Sequence, residues 1–249
     1  MVQRITIATE QCTGSVLTLT AEQAHYLVDV LRLSVGDRFI AQDGKGTQWT
    51  ATIKARGTKQ LQADVLETIH HAPTTAPLRL MAAPTKGNSF DQVIRQSTEL
   101  GVTHICPVIT QRTVLKPSNN RLARWQRIAA EASEQSERVT VPEILEPAPF
   151  AQYLADIELH KDHTELRYIC SARTNNLHLL AAVQTEISSE NIPGITLGIG
   201  PEGGWTSSEV SDAIRSGYQE VSLGPVILRA VTASITALSL TAAARNLLI

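Results

Sequence analysis

The sequence is short of cysteine, of aromatic residues and of long apolar runs. Its three cysteines, Cys12, Cys106 and Cys170, are odd in number and far apart, which argues against a disulfide framework and against a zinc pattern. No run approaches the roughly 18 apolar residues of a membrane-spanning helix, and the start of the chain lacks the apolar segment of a secretory signal. We therefore expect a cytoplasmic protein with no membrane partner.

Histidine is sparse as well, and His160-x-x-His163 is a pair whose spacing could suit a metal. A structural or catalytic zinc site needs three or four protein ligands, and no third histidine or cysteine lies close to the pair in the sequence. A solvated loop is the better interpretation of this pair, and we predict no metal site.

Neither acidic nor basic residues are in large excess, since the net charge is −2, but the charged residues are unevenly distributed along the chain. Residues 78–138 carry nine basic and five acidic side chains, whereas residues 139–249 carry six and twelve. A local basic block in a near-neutral protein suits a partner that is anionic over a limited area, such as a folded RNA. A solvated helix face would give the same pattern, and charge alone leaves both interpretations open.

The first seventy residues are rich in short, β-branched segments separated by turns. One helix interrupts them after Thr20, which can form a capping box with Gln23. Short strands at this spacing predict a small β-barrel, which ends at the proline-bearing segment 70–77. The candidate strands are RITIAT, SVLTL, DRFIAQD, TQWTATIKA and QLQADVLETI.

From residue 78 onward, candidate strands alternate with candidate helices. Gly101 and Gly217 are predicted to follow helix ends, and Thr206 with Glu209 is a second capping box. This alternation predicts an α/β domain in which helices cover both faces of a parallel sheet. The candidate strands are LRLMAA, HICPVIT, RYICSA, GITLGIG and QEVSLG, and the helices are 89–100, 118–137, 207–216 and 232–247, with weaker ones at 149–155 and 176–182.

Residues 198–203, G-I-G-P-E-G, match the dinucleotide-binding fingerprint, but their context argues against that function. Only one strand and one helix follow Gly217, and Pro201 removes an amide from the turn that would wrap a pyrophosphate. Glu220, the acidic residue near the expected spacing, begins a strand instead. The loop still joins a strand to a helix at the sheet edge where α/β proteins bind ligands, and its glycines permit close backbone approach. It suits the edge of a flat ring better than a phosphate chain.

A second irregular segment, LGPVILRAVTASITAL at 223–238, follows the last strand. It places Val226, Ile227 and Leu228 in a loop, where exposed apolar side chains need a pocket or another subunit as partner. The alternative is a strand that continues to Leu228.

The two loops, IGPEGGW and LGPVILRAVTA, each between a strand and a helix, resemble the C-terminal motifs of the RsmE-type 16S ribosomal RNA (uracil-N3)-methyltransferases. That family belongs to the SPOUT class of knotted S-adenosylmethionine enzymes. Residues 86–113, which contain T-E-L-G-V, and 124–144, which contain E-Q-S-E-R, are similar to two further family segments. Residues 25–46 are similar to its PUA-like barrel, so the four motifs span nearly the whole chain in order.

Two positions depart from the family pattern. Val231 stands where the family frequently has glutamate, and Gln96 stands where it usually has lysine. Any mechanism that needs a carboxylate at 231 or an ammonium group at 96 is therefore disfavoured for this chain.

The resemblance implies a PUA-like β-barrel over residues 1–73 that helps to bind RNA, and a SPOUT-type α/β domain over residues 74–249 that contains a trefoil knot. It also implies a homodimer, for which Ile235, Leu238, Leu240, Leu247 and Leu248 would supply an apolar stripe that would equally suit the core. The implied cofactor is S-adenosylmethionine. Its predicted binding residues are Leu197, Ile199, Gly200, Pro201, Glu202, Gly203, Gly204, Leu223, Gly224, Ile227, Leu228, Arg229, Ala230, Thr232 and Ala233, with Cys170–Arg173 as a possible further wall.

The implied reaction transfers a methyl group to N3 of one uridine of 16S rRNA, either free or in the small ribosomal subunit. Arg229 and Arg138 are candidates to stabilise the anion that forms when N3 loses its proton, and Glu202 or Glu99 could accept that proton. A related methyltransferase for another RNA and a non-catalytic RNA-binding or ribosome-assembly protein are the alternatives. The predicted RNA contacts are Arg32, Lys45, Lys86, Arg112, Arg121, Arg124 and Arg127.

Overall fold

The computed structural model describes residues 2–56, 60–74, 76–115, 117–159, 165–190 and 192–248. The pair His160 and His163, and Lys116 of the basic block, lie outside these residues. The chain forms two compact units. One comprises residues 1–73 together with 130–141, and the other comprises 74–129 together with 142–249.

The first unit is built on a six-stranded sheet whose strand order is β1-β4-β5-β6-β3-β2. Its β1 and β4 are parallel and the remaining neighbours are antiparallel. The strands are β1 (Arg4–Thr6), β2 (Cys12–Thr13), β3 (Val16–Leu19), β4 (Arg38–Gln42), β5 (Thr47–Arg56) and β6 (Leu61–His70). Alternate residues such as Leu17, Leu19 and Phe39 are fully buried in one core, as the period-2 pattern requires.

The predicted helix between β3 and β4 begins as expected. Helix α1 (Ala21–His25) follows the Thr20 and Gln23 capping box, in which the Gln23 amide donates to the Thr20 hydroxyl over 3.3 Å. The chain then continues as a π-helix over Tyr26–Val30, which the apolar pattern did not predict.

Residues 130–141 pack with the first unit although they lie sixty residues beyond its last strand. The Thr6 amide donates to Glu134 Oε1 over 2.6 Å, and the Val141 amide donates to the Gly44 carbonyl over 2.8 Å. Burial raises the pKa of the Glu134 carboxyl group.

The second unit contains a parallel sheet of order β10-β8-β7-β12-β11-β13, with β9 also paired to β8. Its central strand β12 is buried along its whole length, as expected of a sheet covered on both faces. The strands are β7 (Leu78–Ala82), β8 (His104–Ile109), β9 (Glu143–Ile144), β10 (Ala148–Pro149), β11 (Leu166–Cys170), β12 (Ile195–Ile199) and β13 (Gln219–Val221). The two-residue strands β9 and β10 carry no sequence pattern and were not predicted.

All six predicted helices of this part of the chain are present, with ends shifted by a few residues. They are α2 (Ser89–Glu99), α3 (Asn119–Gln135), α4 (Phe150–Leu159), α5 (Leu179–Glu186), α6 (Ser207–Arg215) and α7 (Ala230–Asn246). Gly101 and Gly217 have φ of +90° and +86°, which confirms them as the residues that follow helix ends.

The helices of this unit cover the sheet in two groups. Helix α7 packs on α2, α5 and β12, whereas α4 packs on α6 and β8. Leu238 of the predicted apolar stripe on α7 is fully buried within this unit, and Leu247 at its end is 78 % exposed. No helix among the described residues is long and apolar enough to cross a membrane.

Candidate active site

The β12 loop, residues 200–206, leads from the central strand into α6. Its turn closes with a hydrogen bond of 2.8 Å from the Gly204 amide to the Pro201 carbonyl. Gly204 has φ of +70°, so this position requires the left-handed region, whereas Gly200 and Gly203 do not. The loop ends at the predicted capping box, where the Thr206 amide donates to Glu209 Oε2 over 2.8 Å.

Gly200 and Gly203 are needed for space rather than for backbone angle. A Cβ atom on Gly200 would lie 3.2 Å from the indole ring and the backbone nitrogen of Trp205. A Cβ atom on Gly203 would lie 3.2 Å from Cδ and 3.3 Å from Cβ of Arg112. Both contacts are tighter than ordinary van der Waals packing. The backbone of Gly200 therefore packs closely on Trp205, and that of Gly203 packs closely on Arg112.

Three neighbouring strand ends hold the β12 loop in place. After β7, the Lys86 amide donates to Glu202 Oε1 over 3.0 Å. After β8, Arg112 Nη1 donates to the Gly203 carbonyl over 2.7 Å and to the Trp205 carbonyl over 3.3 Å. At the end of β11, the Cys170 carbonyl accepts a 3.2 Å bond from Trp205 Nε1. The loop is therefore preorganised.

The β13 loop, residues 222–229, confirms the second irregular segment. Strand β13 ends at Val221, so the alternative of a strand continuing to Leu228 is wrong. The Ser222 hydroxyl accepts a 3.1 Å bond from the Gly224 amide, and Gly224 has φ of +120°. Val226 and Ile227 are 66 % and 61 % exposed, and both are apolar.

Both loops leave the same edge of the sheet because all the strands involved are parallel. Strand β11 pairs with β12 on one side and with β13 on the other, and the Ser171 amide continues this pairing to the Val221 carbonyl over 3.0 Å. The segment after β11 thus lies between the two loops. Its Arg173 has φ of +60°, an uncommon conformation for a residue other than glycine.

Arg229 lies at the N-cap position of α7, where the β13 loop ends. Its carbonyl accepts the Ala233 amide over 2.8 Å and its side chain is exposed. No described residue makes a hydrogen bond or ion pair with its guanidinium group, which is consequently available to a ligand.

The two carboxylates that were considered as proton acceptors lie in different places. Glu202 is exposed in the β12 loop, where its carboxylate accepts the Lys86 amide, so it orients the loop. Glu99 ends α2 and precedes β8, which places it towards the opposite edge of the sheet from the loops. This position disfavours Glu99 as the proton acceptor, and its role stays a prediction. Gln96 lies one turn earlier on the same helix.

Arg138 belongs to the first unit, whereas Arg229 belongs to the second. Its amide donates to the Ser133 carbonyl over 2.9 Å, and burial lowers the pKa of its half-buried guanidinium group.

The basic residues of α3 are partly engaged with other groups of the same unit. Arg121 Nη1 donates to the Gly87 carbonyl over 3.1 Å, and Arg124 pairs with Asp91 over 2.7 Å. A surface recess of about 360 Å³ is lined by Asn120, Ala123, Arg124 and Arg127. Lys86 is exposed in the second unit, and Arg32 and Lys45 are exposed in the first.

The buried thiols are not reactive groups of the site. Burial raises the pKa of Cys106 to about 11 and that of Cys170 to about 12, so both stay protonated near neutral pH. Within the described residues, no group of three His, Cys, Asp or Glu side chains is placed to hold a metal ion.

Sequence reasoning missed two residues that shape this site, Trp205 and the bracing contact of Arg112. The aromatic residue directly after the glycine turn was the available signal for the first. Arg112 was assigned to RNA, and nothing local in the sequence indicates that its partners lie about ninety residues away.

Comparison with known proteins identifies the family. Residues 72–242 match the RNA methyltransferase domain family, and residues 19–66 match the RNA methyltransferase PUA domain family. The ribosomal RNA small subunit methyltransferase E of Synechocystis sp. is 44% identical over 243 residues, which cover 96% of this chain and 77% of that protein. This chain belongs to the ribosomal RNA small subunit methyltransferase E family. The predicted class, an α/β protein with a PUA-like N-terminal part, is confirmed.

Two solved structures of methyltransferases are similar to this chain over nearly its whole length. The Neisseria gonorrhoeae ribosomal RNA small subunit methyltransferase E, bound to S-adenosyl methionine, is 29% identical with a TM-score of 0.84, covering 99% of this chain and 98% of that one. A methyltransferase from Legionella pneumophila, in complex with the same cofactor, is 28% identical with a TM-score of 0.83, covering 98% of each chain.

Proposed function

We propose that this protein uses S-adenosylmethionine to methylate N3 of a specific uridine in 16S rRNA, either free or in the small ribosomal subunit. The observation that carries the proposal is the β12 loop, a glycine turn held by three strand ends at the ligand-binding edge of the sheet, in a chain of this family.

The residues present fit this cofactor. The glycines of the β12 loop bring backbone amides and carbonyls to the edge, and the β13 loop adds exposed apolar side chains suited to a flat ring. The Ser171 hydroxyl, after β11 between the two loops, has no hydrogen-bond partner among the described residues. When bound, the cofactor supplies a methyl group on a sulfonium, which is already a good leaving group. The residues that would hold it are 197, 199–204, 223–224, 227–230 and 232–233.

The remaining work of the protein is alignment and control of the N3 proton. Uracil N3–H is a weak acid, so its deprotonated ring carries negative charge that a nearby cation stabilises. Arg229 offers an unengaged guanidinium at the N-terminus of α7, where the helix dipole is also positive. Arg138 is the second candidate. Glu202 orients the loop and remains the available carboxylate in it. Because N3 lies on the Watson–Crick edge, the uridine must be unpaired during the reaction.

We further propose that residues 1–73 act as the RNA-gripping PUA-like domain and residues 74–249 as the methyltransferase domain. The latter would carry the trefoil knot and form a homodimer in the cytoplasm, without a metal ion. Phosphate contacts would come from Arg32, Lys45, Lys86, Arg121, Arg124 and Arg127.

The decisive experiment is to map N3-methyluridine in the rRNA of cells with and without the gene, together with single-turnover transfer by the purified protein to unmodified 16S rRNA. We expect one uridine to lose its N3 methyl group when the gene is absent. Methylation of another RNA or at another atom would contradict the proposal and indicate a related methyltransferase. RNA binding without any cofactor binding would indicate a non-catalytic protein.

A further inference from the structure

The segment after β8 is a tight turn that presents Gln111 and Arg112 to the β12 loop. The Thr110 amide donates to the Thr113 hydroxyl over 2.9 Å, and the two threonine hydroxyls lie 2.8 Å apart. The Gln111 amide then donates over 2.8 Å to Glu209 Oε1, a carboxylate that is only 4 % exposed. This hydrogen bond attaches the turn to the first turn of α6, and it thereby constrains the direction of the neighbouring Arg112 side chain.

The guanidinium group of Arg112 controls two peptide planes of the β12 loop. A carbonyl and the next amide share one rigid plane, so fixing the Gly203 carbonyl fixes the Gly204 N–H, which closes the turn on Pro201. Fixing the Trp205 carbonyl likewise fixes the Thr206 N–H, which donates to Glu209. One side chain thereby sets the orientation of the peptides at the end of the glycine turn.

The aliphatic part of the same side chain also packs on the loop. A Cβ atom built on Gly203 would lie 3.3 Å from Cβ and 3.2 Å from Cδ of Arg112. Arg112 thus supports the loop by packing and by hydrogen bonding, and a phosphate would have to compete with two carbonyls for its guanidinium.

We propose that Arg112 is a positioning residue: its side chain holds the β12 loop in the conformation that binds the cofactor, and it does not contact RNA phosphates. This inference rests on the proposed function of that loop.

The test compares Arg112→Met, which keeps the aliphatic packing but removes the donors, with Arg112→Lys, which keeps the charge but cannot span both carbonyls as a planar fork does. Arg215→Met is the matched control, because Arg215 is an exposed arginine of the same unit that pairs with Asp212 at the end of α6. Calorimetry measures the Kd for S-adenosylmethionine without RNA. Binding to unmodified 16S rRNA is measured across a salt series.

We expect Arg112→Met to weaken cofactor binding about tenfold and to raise the KM for the cofactor similarly, with kcat at saturating cofactor nearly unchanged. Arg112→Lys should recover part of the cofactor affinity. RNA affinity and its salt dependence should match the wild type in both variants, and Arg215→Met should match it in every measurement.

The opposite pattern would overturn the inference: unchanged cofactor affinity in Arg112→Met, with weaker RNA binding and a salt slope reduced by about one. Hydrogen exchange of the Gly204 and Thr206 amides provides a readout that needs no ligand. Both amides should exchange faster in Arg112→Met, and unchanged exchange would also refute the positioning role. If the wild type itself binds no S-adenosylmethionine, the proposed function fails, while the exchange measurement still decides whether Arg112 holds the β12 loop.

Discussion

Replacing Gly200 by alanine should displace the β12 loop although it adds only one methyl group. Gly200 does not occupy the left-handed region, so alanine is compatible with its backbone and the effect is steric. The added Cβ would lie 3.2 Å from three Trp205 atoms, of which one is backbone nitrogen. The indole is held by Phe150, whose ring centroid is 5.0 Å away, and by its 3.2 Å hydrogen bond to the Cys170 carbonyl, so a displacement of the ring disturbs these contacts.

The size of the effect follows from these two costs. Overpacking by a methyl group costs about 1–3 kcal/mol. Weakening the indole hydrogen bond adds up to about 1 kcal/mol. We therefore expect the free energy of unfolding to fall by about 1–4 kcal/mol, measured by urea denaturation. Affinity for S-adenosylmethionine, measured by calorimetry, should fall at least about tenfold, because the loop no longer rests in its binding position.

Gly204→Ala provides the matched control. Apart from its two chain neighbours, no described residue has an atom within 4 Å of the added Cβ, but the φ of +70° makes alanine strained by about 1–2 kcal/mol. Only Gly200→Ala should perturb the Trp205 environment, and Trp205→Leu should relieve much of its cost in a double-mutant cycle. If Gly200→Ala unfolds within about 0.5 kcal/mol of the wild type and binds cofactor equally well, the steric reasoning is wrong.

Three further predictions address charge and protonation. Arg229→Ala should lower the single-turnover methyl-transfer rate about 100- to 1000-fold with a much smaller change in cofactor affinity. A wild-type rate in this variant would show that Arg229 does not stabilise the anion. Arg127→Glu should weaken RNA binding in a salt-dependent manner and leave cofactor affinity unchanged. Unchanged RNA affinity at low salt would show that Arg127 does not contact the RNA. Because Cys106 and Cys170 have folded pKa values of about 11 and about 12, above the ordinary value of 9.0, each neutral thiol stabilises the fold fully below pH 9. The free energy of unfolding should therefore drop by about 1.4 kcal/mol per pH unit for each thiol, from pH 9 to about pH 11 for Cys106 and to about pH 12 for Cys170, and Ala variants should flatten that slope in urea titrations.

Local signals account for most of what the sequence predicted correctly. The capping boxes of Thr20 and Thr206 and the glycine after α6 depend on contacts within a few residues, so they can be read from a short window. The placement of the two loops at one sheet edge followed from the alternation of strands and helices, which forces parallel strands. The same topology disfavours Glu99, because the end of α2 is expected to lie near the start of β8.

What the sequence did not predict depends on long-range contacts or on very short elements. Arg112 and its acceptor carbonyl on Gly203 are 91 positions apart, and a basic residue after a strand gives no sign of its partner. The packing of residues 130–141 with the first unit is equally non-local, because its contacts to Thr6 and Gly44 span the chain. Strands β9 and β10 have two residues each, too few for a period to show.

The position of residue 231 in the fold leads us to expect that a valine there is compatible with methyl transfer. Val231 lies in the first turn of α7, directly after Arg229 and Ala230, where unpaired amides and the helix dipole create a positive potential. That potential would lower the pKa of a carboxylate at this position and make it a weaker base, while it strengthens the stabilisation of an anion by Arg229. Val231→Glu should therefore leave the single-turnover rate within about threefold of the parent, because the favoured contribution of this helix end is to the anion. A parent protein without activity that gains it only on Val231→Glu would show that a base at 231 is required, and that Arg229 cannot compensate for its loss.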